Sequence, residues 1–300
     1  MAGILITGAS GLIGTVLSAA LRAEGHRVHH LSRNADPGSP VPTFLWDMRK
    51  GTIDPACLEG MTHIVHLAGA GIADRRWTKA RVQELIDSRT GSARLLRRLV
   101  QEKGHAITAF ISSAGINYYG ARTTDHVFVE TDAPGSDTIA HISTEWEAAV
   151  DEWMLYTRVV KLRTPIVLAR QGGALPKLAM PVKLGLGAAL GTGHQWMPWV
   201  HIDDLVATYQ HALHSTGMTG AYNVNAGADV TNVEFMRTVA RVLHRPFFMP
   251  RIPGALIKAV LGELAHPILY GSKASNARLL ATGFQFRYGE LKPALEDLLG

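Results

Sequence analysis

Short apolar runs alternate with helix-period patterns through the first half of this 300-residue chain, and that alternation decides the fold class. Ile4–Ile6, Val28–Leu31, Thr43–Trp46, Ile64–Leu67, Ala109–Ser112 and Val159–Leu162 read as strands. Between them, helical patterns fall at about 12–24, 78–101 and 142–156. The first places Ile13, Val16, Leu17, Ala20 and Leu21 on one face. Strand, helix and strand in repetition predict an α/β chain with a parallel, doubly wound sheet.

The regularity stops near Thr164-Pro165. Residues 171–198, with Gly172, Gly173, Gly185, Gly187, Gly191 and Gly193, read as excursion loops with a helix, away from the sheet. Val200-His201-Ile202-Asp203-Asp204 opens a further helix and Ala221–Asn225 a further strand. Thr231 and Glu234 have the spacing of a capping box, ahead of Phe235, Val239, Val242 and Leu243. A last helix runs from about Leu291 to Leu298. The expected organisation is a larger unit over 1–165, completed by about 199–226, and a smaller substrate lobe from 166–198 and 227–300.

The first strand runs into Thr7-Gly8-Ala9-Ser10-Gly11-Leu12-Ile13-Gly14. Glycines at 8, 11 and 14 between a buried strand and a helix suit a pyrophosphate. Glycine lets the backbone approach the anion, and the free N–H groups and dipole of the helix favour its charge. The spacing is Gly-x-x-Gly-x-x-Gly rather than Gly-x-Gly-x-x-Gly, but the strand–turn–helix context is the required one. A Rossmann-type dinucleotide site is expected at Gly8, Ser10, Gly11, Leu12, Ile13 and Gly14.

Ser32 and Arg33 close the second strand, with no carboxylate until Asp36. A basic residue here accommodates the 2′-phosphate of NADP, where an acid would take the ribose of NAD, so NADP(H) is favoured over NAD(H). Arg89 falls on the apolar stripe of the 78–101 helix, beside Ile86 and Ala93. An arginine facing a sheet needs an anionic or carbonyl partner, and the cofactor is one candidate; a structural ion pair is the other. Glu84 could orient Arg89 or meet a ribose hydroxyl. The wider basic set, Arg75, Arg76, Lys79, Arg81, Arg94, Arg97 and Arg98, lies mostly off the stripe and reads as a solvated face rather than a nucleic-acid surface.

Leu67-Ala68-Gly69 ends the fourth strand and Ser112-Ser113 the fifth, at the carboxyl edge where such sheets bind ligands. Hydroxyls there, Ser113 and the following Tyr119, are candidates to polarise a substrate carbonyl. Fourteen histidines show no His-Glu-x-x-His pattern, and His201 reads as a helix start, so no metal is expected. Trp146, Trp153 and Met154 read as core. One cysteine, Cys57, excludes a disulfide framework. A first strand close to Met1 and no membrane-length apolar run point to a reducing cytoplasm and no membrane partner. A net charge of +5 suits an anionic cofactor or substrate, or nothing specific.

Gly8-x-x-Gly11-x-x-Gly14, Leu67-Ala68-Gly69, Ser112-Ser113 and Tyr119-Gly120 resemble the extended short-chain dehydrogenase/reductase superfamily, which includes the sugar-nucleotide epimerases. Ile72-Ala73-Asp74, Arg76-Trp77, Ser88-Arg89, Trp146-Glu147, Gly193-His194-Gln195-Trp196 and Trp199–Asp204 are similar to its "epimerase family protein" branch. The tail from about 250, with Leu261-Gly262-Glu263 and Ala281-Thr282-Gly283-Phe284, resembles the branch's C-terminal domain of unknown function. The resemblance implies a Rossmann sheet, a small lobe and NADP(H). It also implies Ser32 and Arg33 at the 2′-phosphate, Leu67 and Ala68 along the adenosine–pyrophosphate path, Glu84 and Arg89 approaching from the helix, and Ile166 near the nicotinamide. Gly69 and Ser112 complete the expected cofactor set.

The superfamily's Tyr-x-x-x-Lys pair is missing: alignment on Trp146-Glu147 puts Ile139 and Ser143 in those places. Tyr118, Tyr119, His141 and Glu145 are the local alternatives for a proton donor. Two functions stay open. One is an NADP(H)-dependent oxidoreductase or epimerase acting on a small carbonyl or hydroxyl compound; a homodimer is one assembly left open, since the sequence does not carry the oligomeric state. The other is a silent NADP(H)-binding sensor.

Overall fold

The computed structural model describes residues 1–36, 38–227 and 229–300. Its first strand, β1 (Gly3–Thr7), is buried at all five positions, because the apolar tetrad takes a strand on either side and a helical layer on each face. The chain continues as α1 (Leu12–Ala23), β2 (Arg27–Ser32), β3 (Thr43–Asp47), β4 (Thr52–Ile53), β5 (His63–His66), α2 (Lys79–Glu102), β6 (Ala109–Gly115) and β7 (Val127–Phe128). Then come α3 (Thr138–Asp151), β8 (Arg158–Thr164), β9 (Ile166–Leu168), α4 (Leu175–Lys183), β10 (Trp199–His201), α5 (Ile202–His214) and β11 (Gly220–Asn223). The last part holds α6 (Asn232–Val242), α7 (Gly254–Leu261), α8 (His266–Leu269), β12 (Lys273–Ala274), α9 (Ala277–Leu280) and α10 (Leu291–Leu299).

Eight strands form the central sheet in the order β11-β8-β6-β5-β1-β2-β3-β4, parallel throughout except for β4 against β3. This is the α/β, Rossmann-type, doubly wound sheet that the pattern predicts. The chain steps from β1 to β2 and β3 in one direction, and from β5 to β6, β8 and β11 in the other. The reversal falls between β1 and β5, where open α/β sheets hold their ligands. Alternation along the strands divides the core. Ile4, Ile6, Ile111 and Leu162 pack with Leu17 and Leu21 of α1 and Leu205 and Tyr209 of α5. Leu5, Ile64 and Phe110 face Leu96 and Val100 of α2 and Val150 of α3. A separate apolar cluster joins Leu175 and Ala179 of α4, Phe235 and Val239 of α6, and Leu295 and Leu298 of α10.

Several boundaries move. The helix expected over 142–156 starts at Thr138, because the Asp137 carboxylate accepts from the Ala140 N–H at 2.9 Å and caps it. It ends at Asp151 in a 3₁₀ turn over Glu152–Leu155, which turns Met154 outward, 47% exposed, against its expected place in the core. Trp153 is fully buried and stacks on Phe110 at 4.1 Å. β5 stops at His66, leaving Leu67 beyond the ladder. The Thr231–Glu234 capping box forms as read. The short pairs β9–β10 and β7–β12 have too little periodicity to be seen in sequence. Among the described residues no helix is long and apolar enough to cross a membrane.

Candidate functional site

The glycine turn is built by backbone contact. Gly8 takes φ +70°, and a Cβ there would come within 2.9 Å of the Leu67 carbonyl group. A Cβ at Gly14 would strike the Gly8 carbonyl oxygen and lie 2.6 Å from Ala9 Cα. The turn is therefore pressed onto the end of β5 on one side and onto its own helix on the other. Gly11 caps α1 with no side-chain hydrogen bond, and no acid occupies the first turn. The leading N–H groups of α1 thus have no capping side chain and no acid in their own turn among the described residues, and they stand next to the exposed Ser10. The loop after β9 lies over this end: Cβ atoms at Gly172 and Gly173 would sit 3.4 and 3.2 Å from the Leu12 side chain.

A buried polar chain fixes the other lip of the crevice. Thr7 Oγ1 accepts from the Leu67 and Ala68 N–H groups, both at 3.1 Å, so its own proton goes to His66 Nδ1 at 2.8 Å. His66 Nε2 then donates to Ser92 Oγ at 3.1 Å, which donates to the Ser88 carbonyl at 2.8 Å. Burial pushes the His66 pKa down to about 4 against a hydrogen bond to the Arg89 backbone, so the imidazole is neutral. The register pairs Thr7 with His66, and the sequence held no signal for this pairing until the two strands were neighbours.

Arg89 is 8% exposed at the end of this chain of contacts. Its guanidinium lies against Gly69, where a Cβ would be 3.0 Å from Cζ, and over the Trp146 ring at 4.9 Å. Its Nη1 donates to the Leu85 carbonyl at 3.0 Å, its buried Nε has no hydrogen-bond partner, and no carboxylate pairs with it among the described residues. Burial, then the charge of Arg81, lower its pKa to about 10. Glu84 does not orient Arg89. It pairs at 2.7 Å with Arg81, whose hydrogen bond holds that exposed carboxyl below its usual range. Arg81 is itself 7% exposed and donates to the Gly71 carbonyl at 2.6 Å. The reading of the basic helix face as solvated fails at this position, because the loop after β5 folds back over it.

The remaining expected residues divide. Ser32 ends β2, the exposed Arg33 follows it, and Arg33 is one of the cations acting on the Glu84 carboxyl. Ser112 is fully buried and donates to the Ser113 carbonyl at 2.8 Å, which leaves its hydroxyl little for a ligand. Ser113 and Thr164 lie beside the phenol of Tyr209, whose pKa burial raises and these neighbours pull back. Ile166 is half-buried and opens β9 opposite Trp199. His201 caps α5 through Nδ1, which accepts from the Asp203 N–H at 3.1 Å.

Tyr119 is brought elsewhere. It is fully buried, donates to Asn223 Oδ1 at 2.9 Å and accepts from Arg163 Nη1 at 2.8 Å. Burial pushes its pKa up to about 12, with Arg163 pulling the other way. Its role as an accessible proton donor is corrected on those grounds: both hydrogen-bonding positions are taken by protein. At the places of the missing pair, Ile139 packs with Trp77, Leu85 and Leu264, and Ser143 Oγ donates back to the Ile139 carbonyl at 3.0 Å. One turn further along α3, Glu147 binds Arg163 at 2.7 and 3.0 Å and Lys161 at 3.1 Å.

The chain compares closely with known proteins. A model described as "NAD dependent epimerase/dehydratase family" matches residues 4–225, and one described as "Domain of unknown function (DUF1731)" matches residues 252–298. "Epimerase family protein SDR39U1" of Homo sapiens is 36% identical over 301 residues, covering 99% of each chain. "Epimerase family protein YfhF" of Bacillus subtilis is 31% identical over 299 residues, covering 99% of this chain and 97% of the relative. The crystal structure of human SDR39U1 (isoform2) with NADPH superposes with a TM-score of 0.87 at 34% identity, over 99% of this chain and 98% of that one. With the glycine turn at the switch point and these matches over nearly its full length, the chain belongs to the NAD dependent epimerase/dehydratase family.

Proposed function

We propose that the chain binds NADP(H) across the β1–β5 crevice and acts as an oxidoreductase or epimerase on a small carbonyl or hydroxyl compound. The observation that carries the reading is Arg89, a buried cation at the lip of the crevice with no acidic partner among the described residues. Such a group is costly unless an anion reaches it. The fit is consistent along the crevice. Gly8, Ser10, Gly11, Leu12, Ile13 and Gly14 would receive the pyrophosphate on the uncapped end of α1. Leu67, Ala68 and Gly69 would line its path, with Thr7 and His66 holding them in place. Ser32 and Arg33 would take the 2′-phosphate, Glu84 a ribose hydroxyl, and Ile166 would flank the nicotinamide. That the human relative is crystallised with NADPH supports the same cofactor.

When bound, the nicotinamide supplies hydride chemistry. The protein's part is to orient the ring and exclude water, with residues 166–198 and 227–300 as the covering lobe. Ser113 remains the strand-end hydroxyl for a substrate oxygen. Ile139, Ser143 and the committed Tyr119 favour the second reading, a protein that holds NADP(H) without turnover.

Calorimetric titration tests the first step: NADPH should bind, and NADH more weakly. Absence of NADPH binding overturns both readings. If NADPH binds and no member of a broad carbonyl panel oxidises it, the silent reading replaces the enzymatic one.

A further inference from the structure

Two adjoining hollows of about 620 and 630 Å³ open where the C-terminal segment crosses the amino ends of α2 and α3. They share Trp77, Thr78 and Glu263, and each has the size of a small-molecule site. The first is bounded by Arg76, Lys258 and His266 as well. Neither Arg76 nor Lys258 has a carboxylate paired with it among the described residues, although Glu263 borders the same space. The tail backbone aims Arg76: its Nη2 donates to the Ala259 carbonyl at 3.1 Å, and a Cβ at Gly262 (φ +60°) would lie 3.3 Å from that nitrogen. The acid on the far side is already used. Asp137 accepts from the Ala121 and Ala140 N–H groups at 2.7 and 2.9 Å and faces His266 at 3.3 Å.

The second hollow is lined by Asp137, Thr138 and His141 at the start of α3. Asp137 and His141 bracket Ile139, which stands where the superfamily's tyrosine would. Ile139 packs in one apolar cluster with Trp77 and with Leu264 of the tail. The C-terminal segment therefore packs over the first turns of α3 and carries Lys258 and the Arg76 anchor with it.

We propose that this segment, whose family description assigns it no function, builds an oxyanion subsite in which Arg76 and Lys258 hold the phosphate or carboxylate group of a small-molecule substrate. The inference rests on the reading of the chain as an NADP(H)-dependent enzyme. An arginine fork beside a lysine point charge is the donor set that recognises such oxygens.

The test is calorimetry on the full chain saturated with NADPH, which blocks the glycine turn as a competing anion site. The probes are inorganic phosphate, glucose 6-phosphate and gluconate, with glucose as the neutral control. At least one anion should bind and glucose should not; the phosphorylated and carboxylated probes separate the two oxyanion chemistries. Lys258→Glu should weaken that binding about tenfold or more while leaving NADPH affinity unchanged. Failure of all three anions at millimolar concentration, or equal binding by Lys258→Glu and the parent, overturns the subsite. Failure of NADPH to bind sinks the cofactor reading instead. The same anion titration on the unliganded chain, with the same variant, then decides the hollow by itself.

Discussion

Two buried arginines stand at the carboxyl edge of one sheet, and their surroundings are opposite. Arg163, at the end of β8, is 2% exposed and has Glu147 on two sides, the Tyr119 hydroxyl at 2.8 Å, the Glu130 carbonyl at 3.3 Å and the Tyr118 ring at 3.6 Å. Burial alone would lower its pKa, but the hydrogen bonds and charge of Glu147 raise it above its ordinary value. Arg89 is nearly as buried, has one carbonyl, the Ser88 hydroxyl at 3.5 Å and a ring face, and its pKa falls to about 10. A cation that the protein neutralises belongs to the architecture. A buried cation left without an anion is the group the proposed function assigns to a ligand.

The largest test of this contrast removes the paired side. Glu147→Gln removes the countercharge of Arg163 and one partner of Lys161, which keeps Asp151 at 2.7 Å. Breaking a buried pair in this way should cost about 3–5 kcal/mol in urea unfolding. Arg89→Met in the cofactor-free protein should be neutral or stabilising, because it deletes an unpaired buried charge of similar volume. Comparable losses in the two variants would erase the distinction.

His66 sharpens the comparison through pH. Its folded pKa of about 4 lies below the ordinary 6.5, so between those values the unfolded chain binds more protons. Stability from this group is full above pH 6.5, declines as pH falls, and is lost by about pH 4. The whole effect is about 3 kcal/mol. His66→Asn should therefore show a shallower decline of unfolding free energy between pH 7 and 4, by close to one proton. Parallel slopes for variant and parent would mean that the imidazole is charged or solvated in the native state.

The same Arg89→Met variant should lose about 2–3 kcal/mol of NADPH affinity, the range of a charge-assisted hydrogen bond removed from a dry site. Together with its unchanged stability, this separates a ligand-directed residue from a structural one. If the variant unfolded readily but bound NADPH normally when folded, Arg89 would belong with Arg163.

What the sequence made legible follows from how local each signal is. The glycine turn was readable because β1, the turn and α1 are contiguous and glycine has one reason to recur at 8, 11 and 14. Arg89 was readable because helical periodicity puts it on the apolar stripe. Arg81 was not, since only the return of the loop after β5 buries it. Nor was the loss of Tyr119 to Asn223, a partner 104 residues away on β11. The Thr7–His66–Ser92 chain depends on strand register and on which face of α2 meets the sheet, and neither is written in residue order. The hollows under the C-terminal segment join Arg76 to Lys258 across 181 intervening positions in folded space alone.

The smallest expected effect lies at the other end of the cofactor. Arg33 is exposed, so whatever it contributes to a 2′-phosphate is screened by water and salt, unlike the buried Arg89. Arg33→Asp replaces attraction with repulsion and should weaken NADPH about tenfold at low ionic strength, with little change for NADH, which lacks that phosphate. The difference should shrink as salt is raised, whereas the loss in Arg89→Met should hardly respond. Equal losses for the two cofactors would remove Arg33 from the phosphate. A salt-insensitive loss would show that the residue acts by ordering the end of β2 rather than by its charge.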